Sequence, residues 1–222
     1  MKSLHPKTLS FLSQLKGNNN KPWFDKHKPE FDEIRIQFVE FIDELMLAMK
    51  KIDSQIGVDL KAKDCLFRIY RDVRFGKDKT PYKIHIAAAF GREGRRGKYA
   101  GYYMHIEPGG KNFMGGGVWM PEASELKKVR QEIDYNLKEF KSITEAKSFK
   151  TTFGALDGEK MKTIPKGYDA TNPASEILKH KSFLFGCELD DKTVLSPSFL
   201  KKSVSVFTEL SPFIQFLNRA MD

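Results

Sequence analysis

The spacing of apolar residues changes twice along the chain, and this restricts the fold more than any other feature. After Pro29, apolar side chains recur every three or four positions, as on one face of a helix: Phe31, Ile34, Phe38, Phe41, Ile42, Leu45, Met49 and Ile52. Between residues 66 and 119, segments rich in Ile, Tyr, Phe and Val alternate as β-strands do. Helical spacing returns after residue 122. Because no linker separates two cores, we predict one α+β domain over residues 1–222, with a mostly antiparallel sheet of four or five strands and long N-terminal and C-terminal helices packed on it.

The same patterns predict the individual elements. We expect helices at residues 3–16, 29–53, 122–141, 173–179 and 197–221, and strands at residues 66–70, 83–90, 101–107, 112–119 and 182–189. Pro108, Gly109 and Gly110 form a turn signal, so the strands on either side should make an antiparallel hairpin. Asn20 is expected to cap a separate short turn before the long helix. Residues 147–172 show no clear period and are expected to be irregular.

The composition limits which classes of protein this chain can belong to. The chain has 222 residues, of which 40% are hydrophobic and 18 are Phe, enough for a sizeable core. It has no run of 18 or more apolar residues and no apolar signal-peptide core, so we expect a cytoplasmic protein that does not enter a membrane. Cys65 and Cys187 lie far apart without metal-binding spacing. Two buried thiols are expected, and no cofactor is predicted.

Positive charge is concentrated in one segment. Residues 68–98 contain ten Lys or Arg against three acids, a net charge of +7, whereas the whole chain carries +9. Local positive charge marks an anion site better than a high overall pI does, and arginine forks match phosphate or carboxylate oxygens. The predicted ligand-binding residues are Arg68, Arg71, Arg74, Lys79, Tyr82, Lys83 and, from the sheet, Tyr103. The alternative is a solvated loop in which Asp72 and Asp78 pair with the arginines.

Alternation in two of the strands brings together a set of residues able to transfer protons. If residues 83–90 pair with residues 101–107, one face carries Lys83, His85, Tyr103, His105 and Glu107, while Ile84, Ile86, Met104 and Ile106 are buried on the other. His85, His105 and Glu107 are the candidate catalytic acid–base residues. The sequence does not show which side chains of residues 66–70 would lie on this face. The alternative is a polar face with satisfied hydrogen bonds. The two histidines and the glutamate lack a signature spacing, so no metal site is predicted.

Two further clusters have structural explanations. Asn18, Asn19 and Asn20 precede Trp23 and Phe24, which suggests helix capping and core anchoring, although Asn19, Lys21 and Trp23 could instead line the rim of the basic site. The three glycines at residues 115–117 do not fit a nucleotide-binding motif. Close backbone packing under a bulky neighbour such as Trp119 is expected there.

Several motifs also resemble a known family. They are NNNKPWF (residues 18–24) with HKPEF, FRIYRDVRFGKDKTPYK (67–83), GYYMHIEPGG (101–110), and GGGVWMPE (115–122) with the LKKVRQEI that follows. From about residue 9 to residue 217, the chain resembles the conserved hypothetical proteins of domain-of-unknown-function family 2461. The resemblance implies a single-domain, mainly bacterial and cytosolic protein, and it implies no activity, cofactor or catalytic residue. Where that family often has Ser after the Arg-Phe pair, this chain has Gly76, which removes a hydroxyl near the predicted anion site.

Three classes of function fit these observations. The first is a binding protein for a phosphorylated or other anionic small molecule, and the second is an enzyme acting on such a ligand. The third is a single-stranded nucleic-acid-binding module, suggested by Arg and Lys interleaved with Tyr and Phe. A concave pocket favours the first two classes, whereas an open groove and a steep salt dependence favour the third. The oligomeric state is not predicted.

Overall fold

The computed structural model describes residues 3–74 and 76–222; Phe75, an aromatic residue of the basic segment, lies outside them. The helices are α1 (Thr8–Gly17), α2 (Lys21–Met49), α3 (Ala62–Cys65), α4 (Ala123–Tyr135), α5 (Leu137–Thr144), α6 (Lys147–Phe153), α7 (Ser175–Leu178), α8 (Asp191–Leu195) and α9 (Phe199–Arg219). The strands are β1 (Ile86–Gly91), β2 (Gly101–Ile106), β3 (Asn112–Val118) and β4 (Phe183–Leu189). The predicted α+β class is confirmed, with long helices near both ends of the chain.

The four strands form one antiparallel sheet in the order β1-β2-β3-β4. The hairpin predicted around Pro108 joins β2 to β3. Ile86 pairs with Ile106, and both are buried together with Met104 on the face that meets the core. Ile84, predicted to share this burial, is only half-buried and precedes β1. The alternation of β2 therefore assigns its apolar residues to the core and its polar residues to the other face, as expected.

Helix α9 supplies most of the cover for the apolar face. It packs on β3 and β2, and the ring of Phe207 lies 5.2 Å from that of Tyr102 and 5.6 Å from that of Phe90. Helix α2 packs against α9, where Phe41 stacks on Phe199 at 5.2 Å. Within the described residues, no helix is long and apolar enough to cross a membrane.

The long helix begins eight residues earlier than predicted. Asn20 caps α2 itself, because its side chain accepts a hydrogen bond from the backbone N–H of Trp23. Pro29 therefore lies inside the helix and not in its first turn. Proline removes one backbone hydrogen bond, and Pro29 is exposed, so the carbonyl that loses its partner can bind water. The prediction of a separate short turn around Trp23 and Phe24 was wrong.

Residues 66–70 do not form the predicted strand. Leu66 bridges Ala88 at the edge of β1, where the N–H of Phe67 donates to the carbonyl of Ala87, and Tyr70 makes a second isolated bridge to Tyr82. The backbone N–H of Arg71 donates to the carbonyl of Pro81, and that of Lys83 donates to the carbonyl of Ile69. Because residues 81–83 are held in this irregular ladder, β1 begins at Ile86 and not at Lys83.

Three smaller expectations also differ from the structure. The helix predicted at residues 3–16 starts only at Thr8, the helix at residues 122–141 is interrupted at Asn136, and the segment predicted as irregular contains α6. Cys65 is buried, but Cys187 is only half-buried, and both are free thiols. The glycines at residues 115–117 do permit close backbone packing, but against the neighbouring strands, because Trp119 is exposed. A side chain at Gly116 would approach the carbonyl oxygen of Gly101 to 2.2 Å.

Candidate functional site

The polar face of the sheet gathers the three residues predicted to carry acid–base chemistry. Tyr103, His105 and Glu107 follow one another on alternate positions at the end of β2, and His85 lies beside them just before β1. The His85 and His105 rings are 4.2 Å apart, and Glu107 Oε2 lies 3.2 Å from His105 Nε2 and 3.8 Å from His85 Nδ1. The residues predicted from alternation therefore form one cluster, which we call the His–Glu cluster (His85, His105 and Glu107).

Hydrogen bonds fix this cluster in place. Tyr103 Oη lies 3.1 Å from His105 Nδ1, so the two nitrogens of His105 face a phenol and a carboxylate. The backbone N–H of Glu107 donates to Asn112 Oδ1, and the buried Asn112 side chain in turn donates to Asp191. The orientation of His105 and the position of Glu107 are thus set by partners outside the cluster.

Burial sets the charge state of the cluster. It lowers the pKa of His85 to about 4, helped by His105 and Lys83 and opposed by Glu107. Burial also lowers the pKa of His105, against the pull of Glu107, and it raises the pKa of Tyr103 to about 12. Both imidazoles and the phenol are therefore neutral near pH 7. The arrangement offers neutral nitrogen donors beside one carboxylate, and these are the residues that could hold a metal ion.

Aromatic rings lie beside the cluster, and small residues flank Tyr103 in the sheet. His105 stacks on Phe113 at 4.8 Å, and Phe113 is 37% exposed. Tyr103 lies between Ala89 on β1 and Gly115 on β3 in the strand register. Neither neighbour carries a large side chain.

A group of three cations lies next to the cluster. Lys83 Nζ and Arg95 Cζ are each 5.5 Å from the centre of the Phe67 ring, and Phe67 also meets Tyr103 edge-on at 5.9 Å. Burial lowers the pKa of Lys83, and the charges of Arg68 and Arg95 lower it further. We call Arg68, Lys83 and Arg95 the cation group. Arg95 was not among the residues predicted, although it belongs to the glycine-rich basic loop at residues 91–97, whose charge was the available signal.

Two members of the cation group, Arg68 and Arg95, line a groove between α2 and residues 66–70. The groove has a volume of about 330 Å³. Its walls are largely apolar, and charged side chains lie at its rim: Phe24, Phe31, Phe38, Leu66, Phe67, Ile69, Tyr70, Ile86 and Ala87 with Lys28, Asp32, Arg35, Arg68 and Arg95. It therefore combines an apolar interior with an excess of positive charge.

The other predicted ligand-binding residues are not brought into this group. Arg71 pairs with Asp78 and donates to Thr80 at 2.7 Å, and Arg74 pairs with Asp72 at 2.7 Å. The arginine lowers the pKa of Asp72 to about 2. Lys79 donates to the carbonyl oxygen of Val73. This is the ion-paired loop that was the alternative interpretation.

Tyr82 has a packing role, because it is buried and stacks on Phe24 at 4.0 Å. Asn19, predicted as a possible rim residue, is linked to the basic segment through hydrogen bonds to the backbone of Tyr82. Its side chain bonds the N–H and C=O of Tyr82, which directly precedes Lys83. Of the predicted ligand-binding residues, Lys83 and Tyr103 thus lie around Phe67, Arg68 lies on the groove and lowers the pKa of Lys83, and the remainder lie elsewhere.

Comparison with known proteins gives a family and no activity. The model of a family described as "Conserved hypothetical protein (DUF2461)" matches residues 7–216. No curated protein and no solved structure matches the chain. The matched region includes the His–Glu cluster, the cation group and all four strands. The chain belongs to the DUF2461 family of conserved hypothetical proteins.

Proposed function

We propose that the protein binds an anionic small molecule, a phosphate or carboxylate attached to an apolar group, through Arg68, Lys83 and Arg95. The observation that carries this proposal is the placement of Lys83 and Arg95 over the ring of Phe67, with Arg68 close enough for its charge to lower the pKa of Lys83. Within the described residues, neither Arg68 nor Lys83 forms a hydrogen bond or a salt bridge with an acid. The charges of Arg68 and Arg95 lower the pKa of Lys83, and a bound anion would relieve that repulsion.

The shape of the groove indicates the rest of the ligand. Arg95 is held in place because its Nε donates to the carbonyl oxygen of Asp64 at 3.1 Å, so its position is set before any ligand binds. Behind the cations lie the rings of Phe24, Phe31 and Phe38. An apolar group carried by the anion can bury its surface there, which favours an organic anion over inorganic phosphate.

A second candidate function is an enzyme acting on that anion. Lys83 is close enough to His85 to lower its pKa, so a ligand anchored at the cation group would meet the His–Glu cluster. The single-stranded nucleic-acid module has less support. Tyr82 is buried, and Phe67 is covered by Lys83 and Arg95, so neither ring offers an open face for stacking with bases. Both cysteines are free thiols, which fits the cytoplasmic location proposed from the sequence.

The proposal is tested by titrating the protein with phenyl phosphate and following the heat of binding. Lys83→Gln and Arg68→Gln should each weaken binding by roughly 10- to 100-fold, since one charge-assisted hydrogen bond contributes about 1.5–3 kcal/mol. Inorganic phosphate should bind more weakly than phenyl phosphate, and benzyl alcohol should not bind.

Matched controls come from the same segment. Arg74→Gln and Lys79→Gln remove the same charge, but in the ion-paired loop, so they should leave binding within about twofold at moderate salt. An equal loss in both pairs of variants would mean that only the net charge matters. That result, or no binding of phenyl phosphate to the folded wild-type protein, would refute the proposal.

A further inference from the structure

We propose that His85, His105 and Glu107 form a binding site for a divalent transition-metal ion, with Zn²⁺ as the reference ion. Each of the three residues offers a ligand atom, and these atoms all lie within 4.8 Å of one another. The site is separate from the cation group, and the inference does not depend on anion binding.

The distances within the cluster suit a metal ion. Ligands bound at about 2.0–2.2 Å from one ion are roughly 3.0–3.5 Å apart. Glu107 Oε2 is already 3.2 Å from His105 Nε2 and 3.8 Å from His85 Nδ1. Small side-chain rotations would therefore bring all three donors into coordination, without any change in the strand register that holds them.

The second imidazole argues for a metal ion. A proton-transferring pair needs one histidine and one carboxylate to orient it. Here two imidazole rings, 4.2 Å apart, face the same carboxylate oxygen. Two neutral nitrogen donors and one carboxylate are the ligand set that Zn²⁺, Fe²⁺, Mn²⁺ and Co²⁺ accept, whereas Mg²⁺ and Ca²⁺ prefer oxygen donors alone.

The surroundings supply the outer hydrogen bonds that metal ligands need. When His105 binds an ion through Nε2, its Nδ1–H can donate to Tyr103 Oη, 3.1 Å away, and this fixes the tautomer. Lys111 Nζ lies 3.7 Å from the other Glu107 oxygen, and Asn112 holds the Glu107 backbone. In the sequence, the lack of a signature spacing argued against a metal site. In the structure, the pairing of β1 with β2 brings His85 beside His105 and Glu107, so no regular spacing in the sequence is needed.

Three protein ligands leave coordination positions open. Structural zinc sites use four protein ligands, whereas sites that bind substrate or water use three. Phe113 is partly exposed beside His105, and Lys83 lies close to His85. A water molecule or an anionic ligand could complete the coordination.

The test uses untagged, EDTA-treated protein titrated with ZnCl₂ and CoCl₂, with MgCl₂ for comparison. We expect one Zn²⁺ per chain with micromolar or tighter affinity, and Co²⁺ should give visible d–d absorption bands that report nitrogen and oxygen ligands. His105→Gln and Glu107→Gln should each weaken Zn²⁺ binding by more than about 100-fold. Tyr103→Phe should weaken it by about 10-fold, in the range found for outer-shell partners.

The control is His27→Gln, because His27 stacks on Trp23 in α2, away from the sheet face. It should bind Zn²⁺ like the wild type. Circular dichroism and thermal melting identify variants that do not fold, and the Co²⁺ bands of the wild-type protein provide a readout that needs no variant. Absence of Zn²⁺ and Co²⁺ binding to the folded wild type at about 1 mM metal ion would overturn the proposal. Binding that His27→Gln abolishes and Glu107→Gln preserves would overturn it equally.

Discussion

Asn19 joins two distant parts of the chain, and its replacement by alanine should cost more stability than its exposure suggests. Its side-chain Nδ2 donates to the carbonyl oxygen of Tyr82 at 2.9 Å, and its Oδ1 accepts from the Tyr82 N–H at 3.0 Å. The two residues are 63 positions apart. No other described residue bonds these two backbone groups, and Tyr82 is only 2% exposed. Asn19→Ala leaves both backbone groups without a partner.

The magnitude follows from these two bonds. A neutral hydrogen bond contributes about 0.5–1.5 kcal/mol net, and a buried polar group left without a partner costs about 1–3 kcal/mol. Because water can reach part of this half-buried position, we expect a loss of about 2–3 kcal/mol in the free energy of unfolding for Asn19→Ala. In a chain of this size that corresponds to a fall of roughly 5–10 °C in Tm.

The neighbouring asparagine provides a matched control. The Asn18 side chain donates to the carbonyl of Gln14 at the exposed end of α1, so Asn18→Ala should change stability by no more than about 0.5 kcal/mol. Urea unfolding followed by circular dichroism measures the variants under the same conditions. Equal values for Asn19→Ala and Asn18→Ala would refute the argument. Asn19→Asp tests the direction of the bonds. It keeps the acceptor but places an oxygen against the Tyr82 carbonyl, so it should destabilise at least as much as alanine.

Two further predictions concern the core. Tyr102 Oη donates to Asp53 Oδ2 at 2.7 Å, and both residues are 1% exposed. Tyr102→Phe should therefore lower the free energy of unfolding in urea by about 1.5–3 kcal/mol. Tyr135 is 73% exposed, so the control Tyr135→Phe should leave the stability unchanged. A loss below about 0.5 kcal/mol for Tyr102→Phe would contradict a stabilising role for the hydrogen bond to Asp53. Cys65 is fully buried, and burial is the main reason that its pKa is raised to about 11. A thiol reagent at pH 8 should therefore modify the half-buried Cys187 in the native protein, and Cys65 only after unfolding. Equal rates for the two thiols would show that the core opens.

Local alternation was sufficient to predict the polar face. A strand places every second side chain on the same side, so the order Tyr103, His105, Glu107 places these three residues together from the sequence alone. The hairpin turn and the apolar residues of β2 fixed which side faces the core. Only the pairing of β2 with β1 brings His85 to within 4.2 Å of His105.

The positive segment shows the limit of such reasoning. The sequence located the charge but could not separate Arg71 and Arg74, which pair with acids a few residues away, from Arg68 and Lys83, which do not. The third member of the cation group, Arg95, comes from a loop more than ten residues further along the chain. Charge is a sum over residues, whereas a binding site depends on which side chains meet after folding.

Element boundaries differ for a similar reason. Alternation at residues 66–70 is compatible with a strand, but only isolated bridges join this segment to the chain beside it, Leu66 to Ala88 and Tyr70 to Tyr82. The break at Asn136 carries no proline or glycine, and it turns α5 so that Phe140 meets Phe213 and Phe216 of α9. The sequence by itself thus determined the fold class, the hairpin and the polar face of β2, because these depend on residues close together in the chain. The cation group, the groove and the donor distances of the His–Glu cluster were decided by tertiary structure, because they depend on which distant segments come into contact.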